Sequence, residues 1–208
     1  MTLRQLTLSF VTVLCAGTAS AAPINLVTNG SFEQGTLGIG SFQGWQTTLG
    51  DSSTYVDSSG QTGTNYGQAT DGKWAAYFGS TAASGGASIA QTLSTTAGQF
   101  YTLSFDLAND NGGSAASNSF MAYLGGASVF SRTNLANQNF VHQQIAFQAT
   151  GASTTLRFTA YNDQGYDELD NVAVTAAAVA TTPEPTSLVL LATGMLLPAL
   201  ATWTTKHR

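Results

Sequence analysis

The chain has 208 residues, with 6 Lys or Arg against 11 Asp or Glu, a formal net charge of −5, and only 8% charged residues. This balance excludes partners that need a basic surface, nucleic acid and anionic lipid among them. A single Cys excludes a disulfide framework, and the length suits one domain of ordinary size with appended segments.

Residues 1–22 read as a signal peptide. Arg4 supplies the charged start, Leu6 to Ala16 an apolar run, and Ala19-Ser20-Ala21 a small-residue cleavage site, so signal peptidase is expected to cut after Ala21 or Ala22. Cys15 follows Leu14, where a lipid-modified Cys needs a small residue.

Residues 23–175 form the domain. From 23 to 182 the charges are Lys73, Arg132 and Arg157 against ten acids, a net of −7. Apolar residues recur with period two, which predicts strands between turn-rich spacers. The strongest are Tyr101 to Leu107, with Tyr101, Leu103, Phe105 and Leu107 on one face, and Thr154 to Tyr161, with Leu156, Phe158 and Ala160 inward. Phe140 to Phe147 places Val141, Ile145 and Phe147 together, Ala87 to Leu93 turns Ile89 and Leu93 inward, and Leu169 to Val174 closes the domain. Weaker strands are expected at Ile24 to Val27, Thr54 to Val56, Trp74 to Phe78, Phe120 to Leu124 and Ser128 to Phe130. No window carries a helical period. The expected fold is an all-β sandwich, a jelly roll of two antiparallel sheets.

The chemistry available to this domain is narrow. His142 is its one His and no Cys remains in it, so a zinc site with nitrogen or sulfur ligands fails on ligand count. There is no G-x-S-x-G elbow, and His142 alternates onto the solvent side of its strand. Asp163, Asp167, Glu168 and Asp170 crowd one loop and strand end, a pattern expected of a solvated or metal-facing edge rather than a glycosidase acid pair. Aromatic side chains remain as candidates, because sugar rings stack their C–H faces on them. Tyr66, Tyr123, Tyr161 and Tyr166 are the carbohydrate candidates, with Tyr123 and Tyr161 on the outward faces of their strands. Trp45 and Trp74 are expected in the core.

Residues 176–182 form an Ala/Thr linker, and residues 183–208 are of a different kind. Pro183-Glu184-Pro185 precedes an uncharged stretch of 18 residues, Thr186 to Trp203, followed by a tail with Lys206 and Arg208. Eighteen residues make roughly 27 Å of helix, near the roughly 30 Å of a bilayer core, and the basic end suits the cytoplasmic side. A single transmembrane helix over about 186–203 is expected.

Motif, apolar helix and basic tail together resemble the PEP-CTERM sorting signal of Gram-negative bacteria. The resemblance implies export across the inner membrane, transient anchoring by the helix, processing by an exosortase, and release to the cell surface or beyond it. The tail departs from the family pattern in having only Lys206 and Arg208 where an Arg cluster is usual, and Pro198 sits late in the span. A second resemblance rests on Asn29-Gly30-Ser31-Phe32-Glu33 followed by Trp45, on Tyr101 to Phe105, and on Glu168-Leu169-Asp170-Asn171-Val172. These resemble the galactose-binding-like jelly rolls, including carbohydrate-binding modules. That resemblance implies Glu33 and Asp170 as ligands of one structural Ca2+; no other cofactor is expected. The combined expectation is a non-enzymatic cell-envelope or extracellular-matrix protein associated with exopolysaccharide or biofilm. The alternative is a surface carbohydrate-binding module; a glycoside hydrolase or lyase is a weaker third.

Overall fold

A computed structural model describes residues 23–58, 68–112 and 117–177. The signal peptide, the C-terminal sorting signal with its helix and basic tail, and Tyr66 lie outside the described residues. Among the described residues there is no helix, and the strands are β1 (Gly38–Ile39), β2 (Gln46–Leu49), β3 (Thr54–Ser58), β4 (Trp74–Phe78), β5 (Ala87–Ser94), β6 (Phe100–Asp110), β7 (Asn118–Leu124), β8 (Ala127–Thr133), β9 (Gln138–Gln148), β10 (Ser153–Asn162) and β11 (Tyr166–Ala176). They make a six-stranded sheet, β1-β3-β4-β11-β6-β9, and a five-stranded sheet, β2-β5-β10-β7-β8. Every pairing is antiparallel. The fold is the expected all-β sandwich.

Alternation explains which face each strand buries, since successive side chains point to opposite sides. In β6, Tyr101, Leu103, Phe105 and Leu107 are buried between the sheets; in β10, Leu156, Phe158 and Ala160 meet them from the other side. Phe105 stands at the centre, edge-on to Phe130 and Phe158 with ring centroids 5.2 Å apart in each case. Such aromatic pairs add about 0.5–1.5 kcal/mol each beyond their buried area. Trp45 stacks on Phe32 at 5.9 Å and is buried, and Trp74 packs against the core, as expected for both.

The structure departs from the sequence expectations in four places. Ile24 to Val27 is not a strand. It makes one bridge, Asn25 to Thr175, because the Asn25 side-chain oxygen takes the N–H groups of Val27 and Val174 that a ladder would use. Val141 shares a face with Ile145 and Phe147 but is 46% exposed, on a strand that lies at one edge of its sheet. In β11 the alternation breaks at a bulge: Asn171 takes φ 52°, and Leu169, Val172 and Val174 all reach the core. Lastly, β1 and β2 are short, and β2 is polar, so no period announces them.

Candidate functional site

The Asn29–Glu33 motif is a junction. Asn29 holds its own turn through Gln43 O and the Gln34 backbone, and Trp45 donates its indole N–H to Asn29 O at 3.1 Å. Gly30 lies against β11, with Val172 N donating to Gly30 O at 2.9 Å. Glu33 accepts the N–H groups of Lys73 and Trp74, while Asp170 accepts those of Thr70, Asp71 and Asn171. Glu33 and Asp170, the pair expected to bind calcium, thus clamp one segment, residues 70–74, onto the sheet. Their oxygens are hard donors of the kind calcium takes. The N–H groups already supply positive partners at the same lone pairs, so a cation there has to share or displace them. Among the described residues, no group of three His, Cys, Asp or Glu is arranged to hold a metal ion.

The outer face of the six-stranded sheet gathers the acids. Asp106 and Asp170 are direct cross-strand neighbours, and the Thr70 hydroxyl lies 2.5 Å from Asp106 Oδ2 and 3.2 Å from Asp170 Oδ2. Burial by itself raises the Asp106 pKa, but hydrogen bonds from Thr70, Asn171 and His142 outweigh it and hold the group below its usual value. Burial dominates at Asp170 and pushes it up to about 6 against its backbone N–H donors. His142 is solvent-facing, as expected, and reaches Asp106 Oδ1 with Nδ1 at 2.6 Å. Asp167, Glu168 and Asp170 are fully buried, which corrects the expectation of a solvated edge. Asp167 turns between the sheets toward Asn109, and residues 70–71 are hydrogen-bonded over Asp170. The Asp106–Asp170 pair is enclosed and hydrogen-bonded, which suits a structural role better than acid catalysis. Tyr166 joins the same face, edge-on to Tyr55 at 5.5 Å and to Tyr77 at 6.1 Å.

The outer face of the five-stranded sheet is different. An open groove of about 400 Å3 crosses it, lined by Thr48, Ser88, Met121, Arg157, Thr159 and Tyr161 among others. Arg157, Thr159 and Tyr161 alternate along β10, and at roughly 3.3 Å per residue Arg157 and Tyr161 stand about 13 Å apart. Gly85 and Gly86 form one wall. Gly86 has φ 67°, and a Cβ there would fall 2.6 Å from Ala160 O, so only glycine lets this loop lie so close to Tyr161. Tyr123, cross-strand from Arg157, lies under the Arg157 guanidinium with 4.5 Å from Cζ to the ring centroid.

Of the four Tyr residues named as carbohydrate candidates, Tyr161 lines this groove and Tyr123 flanks it, with one ring face covered by Arg157. Tyr166 belongs to the opposite sheet, and Tyr66 lies outside the described residues. Arg157 was not singled out from the sequence; its position four residues before Tyr161, on the same face of a strand, was the available signal.

No curated protein matches the chain. Among solved structures, the N-terminal CBM22-1–CBM22-2 tandem domain from Paenibacillus barcinonensis Xyn10C is 18% identical with TM-score 0.51, covering 79% of this chain and 49% of the tandem. The CBM22-1 xylan-binding domain of the same protein is 18% identical with TM-score 0.45, covering 78% and 100%. TmCBM61 in complex with β-1,4-galactotriose is 12% identical with TM-score 0.49, covering 74% and 99%. At these identities the tandem's likeness is one of fold. The chain belongs to the DUF642 family, whose model, described as a protein of unknown function, matches residues 25–175.

Proposed function

We propose that this chain is an exported, non-enzymatic carbohydrate-binding protein of the cell envelope, and that the groove on the five-stranded sheet holds the polysaccharide. The observation that carries this reading is the open groove of about 400 Å3, in which Tyr161 stands beside the hydroxyls of Thr48, Ser88, Ser119 and Thr159, with Gly85 and Gly86 along one wall. A partly exposed aromatic ring beside hydrogen-bonding groups is what a sugar ring needs: a flat apolar surface for its C–H face and polar partners for its hydroxyls. The sandwich it shares with the CBM22-1–CBM22-2 tandem domain supports the reading at the level of fold. Affinity electrophoresis of the full-length chain through gels cast with a panel of soluble polysaccharides tests it. Tyr161→Ala is expected to weaken the retarding polysaccharide about tenfold or more while leaving the melting midpoint nearly unchanged, since this ring lies on the outer face. Absence of retardation across the panel rejects the reading.

The address belongs to the same proposal. The signal peptide exports the chain, and the segment 183–208 anchors it for exosortase processing at the inner membrane. C-terminal mass mapping in a cell holding the exosortase is expected to show a terminus before Arg208; a terminus at Arg208 overturns processing. One structural calcium ion at Glu33 and Asp170 completes the proposal, with melting in the presence and absence of EDTA as its test. A midpoint lowered by chelation supports the ion, and an unchanged one removes it.

A further inference from the structure

Charge in this domain is divided by sheet. The strands of the six-stranded sheet carry Asp57, Asp106, Asp110, Asp167, Glu168 and Asp170 and no Lys or Arg. The strands of the five-stranded sheet carry Arg132 and Arg157 and no Asp or Glu. In a segment with a net of −7, that leaves one outer face without strand carboxylates, and Arg157 stands in its groove. Arg157 is exposed, and among the described residues no carboxylate lies within ion-pair distance of it. Its guanidinium nonetheless rests on the Tyr123 ring, with Cζ 4.5 Å from the ring centroid. A pinned cation without an anion is poised for one, because a guanidinium offers paired N–H donors in the geometry of a carboxylate, and little of its freedom remains to be lost on binding.

Two loop acids, Asp51 and Asp163, are engaged elsewhere. Asp51 takes Ser53 N, Thr81 N and the Ser80 hydroxyl, and Asp163 takes Ala82 N and the Ser117 hydroxyl. Carboxylates of the other sheet lie at least a sandwich thickness of about 10 Å away, well beyond contact distance, so they weaken but do not cancel a contact made at Arg157.

We infer that the groove takes an acidic polysaccharide, with a uronate carboxylate bound by Arg157 and a ring further along the same chain resting on Tyr161. The inference rests on the carbohydrate-binding reading and adds the class of ligand. Tyr123 is then a positioning residue for Arg157 rather than a sugar platform.

The test measures binding of the full-length chain to alginate and to polyglucuronate, each beside its carboxyl-reduced, neutral counterpart, at low and at high salt. The acidic forms are expected to bind about tenfold or more tightly than the neutral ones, with the difference shrinking as salt rises. Arg157→Gln is expected to abolish that preference and Arg157→Lys to retain part of it. Arg132→Gln, which makes the same change in net charge away from the groove, is expected to leave it intact. Equal binding of acidic and neutral forms, or an Arg157→Gln protein that still prefers the acids, overturns the inference. If neutral polysaccharides bind and Tyr161→Ala removes them, the carbohydrate reading stands without it. If no polysaccharide of either kind binds, both fall.

Discussion

Gly30→Ala is expected to destabilise the domain by about 3 kcal/mol or more. A Cβ at this position would land on the carbonyl oxygen of Val172, far inside van der Waals contact, and 2.9 Å from the Val172 carbonyl carbon. These are backbone atoms of β11 at its bulge, pinned on either side by the β6 pairings of Asp170 and Ala173, so they have little room to move. Relief requires that the 29–33 turn lift away from the strand. That breaks the Val172 N to Gly30 O bond and disturbs Phe32, fully buried beside Trp45. Overpacking typically costs about 1–3 kcal/mol and a lost hydrogen bond about 1 more. With total stability of about 5–15 kcal/mol, this consumes a large fraction of it, and the melting midpoint of a domain this size falls by about 6–12 °C. Gly151→Ala is the comparison: its Cβ would meet nothing nearer than 3.7 Å, and a midpoint close to that of the unaltered protein is expected. Equal midpoints for the two variants in calorimetry would sink the account of Gly30.

Asp167→Asn is expected to stabilise the protein at pH 8 by about 2–4 kcal/mol and to do little at pH 4. Asp167 is fully buried between the sheets; Asn109 donates to Oδ1 at 2.6 Å, and Oδ2 has no hydrogen-bond partner among the described residues. Burial pushes its pKa up to about 7, against the opposing pull of Asn109. The unfolded chain ionises this group near 3.9. Between these values the folded state holds the proton and the unfolded state does not, so stability is greatest below about pH 4 and declines as pH rises through 7. Asp170, pushed up to about 6 by burial, acts in the same direction over a slightly lower window. Asp106 is held below its usual value and acts oppositely, its contribution lost only as the solution becomes strongly acidic. The amide of Asn keeps the shape and removes the charge, so the decline between pH 4 and 8 is expected to flatten. Urea midpoints across that range check it, and a variant with the same slope as the parent would rule out Asp167 as the cause.

The strands that the sequence revealed are those whose two faces meet different surroundings. Leu103, Phe105 and Leu107 face the core while Thr102 and Ser104 face outward, so β6 is written in period two. The same holds for β10. β2 was not visible, because three of its four residues are exposed and none needs to be apolar. The bulge at Asn171 was hidden for a related reason. A bulge changes which residues of β11 face inward without changing their types, and only the partner strand exposes the mismatch. The Asn29–Glu33 and Asp170–Val172 motifs were recognised as landmarks, yet their purpose, clamping residues 70–74 and docking Gly30 on Val172, joins positions up to 142 residues apart. Tyr161 was legible as an outward aromatic. Arg157 was not, because an isolated arginine on a strand looks the same whether it faces open water or a groove.

What the sequence determined by itself is local in origin. Period-two burial sets the all-β class, and composition excludes a disulfide framework and, with a single domain His, a nitrogen–sulfur zinc site. The export proposed above is likewise a reading of contiguous residues, a charged start, an apolar run and the small residues Ala19-Ser20-Ala21. Tertiary structure decided everything that depends on which strands lie side by side. It placed every strand acid on one sheet and every strand arginine on the other, and it buried Asp167, Glu168 and Asp170 where the sequence suggested solvent. It also separated Tyr166 from Tyr161. Strand order is a non-local choice, made when the two apolar faces close on each other, and the groove exists only on the outside of that closure.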